Sequence, residues 1–104
     1  MEEVPSAEFI TYLQGAPLPP IIENPAMQGQ TLAAVLGESE NLKILQKICH
    51  VGGSFVAHLM LRETVKLFGQ RAADGHVQTP GGLYLKIAKK GQFLTVVEKN
   101  MIFK

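Results

Sequence analysis

The first thirty residues of this 104-residue chain contain no lysine or arginine. Glu2, Glu3, Glu8 and Glu23 stand there unopposed, a formal charge of −4. With no basic start ahead of an apolar stretch, a secretory leader is not expected. Cysteine is nearly absent too: Cys49 alone excludes an internal disulfide and a multi-cysteine zinc site, and fits a reducing, intracellular compartment. Its apolar neighbours make it a small buried hydrophobe in expectation. Uninterrupted apolar runs are only a few residues long, so no membrane span and no membrane partner are expected. Phosphate loops of the GxxxxGK[ST] form, strand-associated GxGxxG, HExxH and GxSxG are all missing. The expected protein is therefore not an enzyme and needs no cofactor. His50, His58 and His76 lie on separate segments without ligand spacing, so no metal site is expected.

What is present is globular. Hydrophobic residues make up 46% and charged residues 18%, with a formal net charge of +1. A chain of this length buries roughly 60–70% of its unfolded surface, enough for one modest core. The near-neutral total conceals an uneven distribution. Residues 31–61 sum to zero, whereas residues 62–104 carry eight basic side chains against Glu63, Asp74 and Glu98, a sum of +5. An acidic N-terminal arm before a basic half points to a polyanionic partner.

The pattern along the chain is helical. Residues 7–13 can form two turns behind Ser6 and stop at Gly15. Pro17, Pro19, Pro20 and Pro25 then prevent a helix, and Leu18, Ile21 and Ile22 suggest that this extended stretch packs on the domain. Residues 1–30 therefore read as an acidic, proline-containing arm, and residues 31–104 as the helical domain. Asn24-Pro25 opens a helix ending at Gly37, weakened in the middle by Gly29. Ser39 is a candidate N-cap for residues 42–51, with Gly52 and Gly53 as the stop. Ser54 is a candidate N-cap for residues 55–68, the expected central helix, closed by Gly69. A polar loop follows, with Asp74-Gly75 as a turn signal. Thr79-Pro80 then starts a helix that runs to Lys90 and stops at Gly91. A last helix over residues 93–101 is expected to bury Phe93, Val96, Val97 and Met101. The sum is an all-α bundle of about five helices.

Basic residues recur at helical spacing. His58, Arg62 and Lys66 are successive i, i+4 positions, as are Lys43 and Lys47, with His50 following; Lys86, Lys89 and Lys90 cluster on the helix after Thr79. Converging stripes of this kind make a phosphate-tracking surface. At Thr79-Pro80-Gly81-Gly82, two glycines in a first helical turn cost roughly 1 kcal/mol each in helix propensity. One cause would be close approach of a phosphate to the Gly81, Gly82 and Leu83 amides, favoured by the helix dipole. The other would be tight packing of a second helix or the polar loop. Phe68, Tyr84 and Phe93 are possible stacking platforms, but each falls on an apolar face and reads as core.

These pieces together resemble the RNA-binding domain of the phosphorylated adaptor for RNA export, the PHAX family. The resemblance rests on Leu32-Ala33-Ala34-Val35-Leu36, on Ala57-His58-Leu59-Met60-Leu61-Arg62-Glu63-Thr64, on Asp74-Gly75, and on Thr79-Pro80-Gly81-Gly82-Leu83-Tyr84-Leu85-Lys86. It covers about residues 31–90, and Lys99-Asn100-Met101-Ile102-Phe103 is similar to the family's closing helix. It implies an all-helical fold that binds RNA without strict sequence demand; a monomer that binds single-stranded RNA is the expectation here. It also implies a nuclear or nucleocytoplasmic setting, with a cap-binding or export complex as protein partner. Where the family has consecutive arginines before the threonine, this chain has His76-Val77-Gln78, with Arg71 nearby. Losing about three phosphate contacts leaves weak, salt-sensitive binding. The expected RNA contacts are Arg62, Lys66, Arg71 and His76, the helix start at Thr79, Gly81 and Gly82, and Lys86, Lys89 and Lys90. The acidic arm is expected to compete for this surface. The alternative is a protein-interaction module that kept the fold and lost RNA binding.

Overall fold

Proline and glycine punctuation sets most of the helix boundaries. In a computed structural model, which describes residues 7–73 and 79–103, the chain forms α1 (Ala7–Leu13), α2 (Pro25–Leu36), α3 (Leu42–Gly52), α4 (Ser54–Ala73), α5 (Pro80–Lys90) and α6 (Val96–Phe103), with one 3-10 turn at Ser39–Asn41. The fold is all-α. There are six α-helices among the described residues, one more than expected. The Cα radius of gyration, 12.8 Å, is that of a tightly packed chain of this size.

The α2 start follows the sequence closely: Asn24 Oδ1 accepts from the Met27 amide at 3.2 Å and Pro25 occupies the first turn. Gly37, at φ 71°, ends it in the left-handed conformation. Gly29 costs propensity but allows α2 and α3 to meet backbone to backbone, since a Cβ there would lie 2.8 Å from Gln46 Cα. Two other expected caps differ. Asn41, not Ser39, precedes α3, and its side chain donates to Glu38 Oε2 at 2.8 Å instead of capping. Ser54 is the first residue of α4, and its hydroxyl donates to the Glu23 carbonyl at 3.4 Å.

Helix α4 continues through Gly69 to Ala73 because that glycine stays helical: only Leu13 Cδ2, at 3.8 Å, comes near its Cβ position. It touches α1, α2, α3 and α5, the central position expected of it. Phe9 of α1 is fully buried and meets Phe68 of α4 edge to face at 5.2 Å, so α1 contributes to the same core as Leu32, Ile48, Met60 and Tyr84. Cys49 is also buried, and burial pushes its thiol up to about 12.

The last helix departs most from expectation. Thr95 and Glu98 form a reciprocal capping box, Glu98 Oε1 accepting from the Thr95 amide at 2.8 Å and Thr95 Oγ1 from the Glu98 amide at 3.1 Å. The helix thus starts at Val96 rather than Phe93, and its buried residue is Ile102. Val96, Val97 and Met101 are 73%, 68% and 58% exposed, the reverse of the face expected to be buried. Among the described residues no helix is long and apolar enough to cross a membrane.

Candidate functional site

Helices α4 and α5 lie side by side, tied by a buried hydrogen bond from the Tyr84 hydroxyl to the Ala57 carbonyl at 2.9 Å. Tyr84 is fully buried, and desolvation raises its phenol well above the usual value, so it stays protonated and serves as a packing residue. Two adjoining clefts open beside this pair. The larger, about 550 Å³, is lined by Leu67, Leu83, Ile87, Phe93 and the turn after α5, with Glu63, Lys86 and Lys90 contributing charge. The smaller, about 370 Å³, is lined by Leu59, Arg62, Glu63, Lys66 and Phe93. Glu63 and Phe93 belong to both, so the clefts form one groove with Phe93 between its halves.

Four of the ten expected contacts therefore converge. Arg62 and Lys66, one turn apart on α4, serve one half, and Lys86 and Lys90, one turn apart on α5, serve the other. All four are exposed. Four cations face one carboxylate, Glu63, so the groove is electropositive. Its apolar floor was not apparent in the sequence. Phe93 falls in the turn between α5 and α6, half-buried, not on a helical core face as expected.

The stripe on α4 is weaker in charge than its spacing implies. Burial, and then the Arg62 guanidinium, hold His58 below its ordinary value, which leaves the ring neutral near pH 7. Its Nδ1 is buried without a hydrogen-bond partner. Lys89 turns the other way, its Nζ 5.2 Å from the centroid of the Phe103 ring. Lys43 and Lys47 on α3 are exposed but line neither cleft. Arg71 lies in the last turn of α4, its side chain outside the described set, and His76 falls outside the described residues. Among the described side chains, none from α1 or the proline stretch lines the groove.

At the start of α5, Thr79 caps as expected: its Oγ1 accepts from the Gly82 amide at 3.0 Å, and its carbonyl from the Leu83 amide at 3.0 Å. Two of the three amides offered to a phosphate are thus already used. The third belongs to Gly81, which is buried beneath the Glu38 side chain; a Cβ at Gly81 would overlap that carboxylate. A resident carboxylate takes the place expected for an external anion at the positive end of the α5 dipole, a placement worth about 0.3–1 kcal/mol. Tight packing accounts for Gly81, and Gly81 and Gly82 drop out of the contact surface.

Among the described residues no group of three or more His, Cys, Asp or Glu is gathered as for a metal ion. No family model, no curated protein and no solved structure matches the chain.

Proposed function

We propose that the α4–α5 groove binds single-stranded RNA weakly and with little sequence demand. Support comes from one arrangement: Arg62 and Lys66 on one side and Lys86 and Lys90 on the other, around Phe93. Exposed cations attract phosphates regardless of base identity, and an aromatic ring accepts the face of any base. The resemblance to the PHAX RNA-binding domain agrees with this reading in ligand class. The Gly81 and Gly82 amides play no part in it. Four phosphate contacts correspond to a log–log salt slope of about −3 for a single strand.

The experiment is a fluorescence-anisotropy titration of a short, fluorescein-labelled single-stranded RNA with the full chain, starting at low salt. Lys86→Glu combined with Lys90→Glu should weaken binding at least about tenfold and flatten the salt slope by about half. Lys43→Glu with Lys47→Glu, the same charge change on α3, should cost much less. Equal losses for the two pairs would indicate general attraction to the chain and remove the groove from the explanation.

A further inference from the structure

The centre of the stretch between α1 and α2 is constrained by chemistry that does not involve the groove. Proline fixes its own φ near −65° and pushes the preceding residue into the extended or polyproline II region. In Ala16-Pro17-Leu18-Pro19-Pro20 every residue is either a proline or the neighbour before one. Covalent structure alone thus favours polyproline II over the stretch, with three residues per turn.

Both ends of the stretch are held. At the first, Gly15 adopts φ 99° and the Ala16 amide donates to the Thr11 carbonyl at 3.0 Å, closing α1, which Phe9 anchors in the core. At the second, the Ile22 amide donates to Oε1 of Gln28, a side chain only 2% exposed, at 2.9 Å. In two of the three registers burial repeats every third residue: Ala16, Pro19 and Ile22 are half-buried and Pro17, Pro20 and Glu23 exposed, while in the third Leu18 is half-buried and Ile21 exposed. Leu18 packs against the core and fixes the rotation of the strand. In the polyproline II conformation that the prolines favour, the two exposed prolines fall one turn apart on one edge, with Glu23 beyond them.

We propose that this edge is a docking strand for a protein domain that reads polyproline II through an aromatic-lined groove. A tethered strand of this kind has little conformational entropy left to lose on binding. Charge narrows the partner further. No lysine or arginine occurs anywhere in residues 1–42, and Glu23 extends the exposed edge, so the fitting groove has a neutral or basic rim, not an acidic one. This surface is separate from the α4–α5 groove, and its occupancy does not depend on RNA binding.

The test titrates the ¹⁵N-labelled full chain with a panel of purified WW domains with neutral or basic rims, and with SH3 domains with acidic rims as the second arm. Backbone shifts confined to residues 14–24 with the first set, and none with the second, are expected. Pro17→Ala with Pro20→Ala should reduce affinity at least about tenfold, whereas the inward Pro19→Ala should change it less than the outward pair. An amide spectrum otherwise unchanged verifies folding, and an RNA titration of the same variant, expected to be unaltered, separates this result from the groove reading. Binding by no WW domain in the panel, or undiminished binding after loss of both outward prolines, would overturn the proposal.

Discussion

The N-terminal region, residues 7–38, and the α4–α5 pair differ in how each is built. The helix pair satisfies its backbone internally and needs one buried hydrogen bond, Tyr84 to Ala57, to lock its halves together, which leaves its outer positions free for cations. The N-terminal region joins the seven-residue α1 to α2 through a stretch without secondary structure, and buried side chains hold that stretch: Phe9 in the core before it, and Gln28 of α2 accepting the Ile22 amide. Their charges are opposite, yet among the described side chains none from the acidic region lines the basic groove. Besides the Phe9–Phe68 contact in the core, the two meet where Glu38 covers the start of α5.

Phe9→Ala strikes hardest at this comparison. If residues 7–13 contribute to the core as the edge-to-face contact with Phe68 indicates, urea unfolding should show a loss of about 3–5 kcal/mol. A loss below about 1 kcal/mol would reduce α1 to a surface appendage. The meeting point at the start of α5 is sharpened by Gly81→Ala, in which overlap with the flexible Glu38 side chain is partly offset by about 1 kcal/mol of regained helix propensity, for a net cost of about 0–2 kcal/mol. In a Glu38→Ala background most of that cost should vanish. Strictly additive losses in this double-mutant cycle would disprove the contact.

The smallest effect concerns His58. Its folded-state value is depressed, so the proton favours the unfolded chain, and stability should fall as pH drops below the unfolded value of about 6.5 and level off above it. Urea midpoints across about pH 5.5–7.5 should show this slope in the parent chain and a flatter one in His58→Leu. Parallel profiles would assign the slope to other groups.

The local signals were legible wherever one residue sufficed. Asn24-Pro25, Gly37 and Thr79-Pro80 act as their chemistry dictates, and Cys49 and Tyr84 are buried as their apolar settings imply. Gly69 was misleading because a glycine ends a helix only when the chain turns left-handed there, and a helical φ is equally open to it. On α6 the capping box of Thr95 and Glu98 moves the start by three residues, and tertiary packing turns Ile102 inward in place of Val96, Val97 and Met101. The site was legible in residue types but not in arrangement. Spacing located Arg62, Lys66, Lys86 and Lys90, but their convergence on Phe93 depends on how α4 and α5 pack. The cover on Gly81 comes from Glu38, forty-three positions away, and no local pattern carries that contact.

Cys49 has a practical consequence. Its sulfur is the only thiol in the chain, and with a pKa of about 12 only on the order of one molecule in ten thousand carries a thiolate at pH 8, even before access is considered. An alkylating reagent therefore reports opening of the core around Ile48 and Met60, through the opening equilibrium when reclosing is faster than reaction and through the opening rate when it is slower. The chain carries its own probe of opening, and it leaves every surface position free for a single added cysteine and a dye without removal of the native thiol.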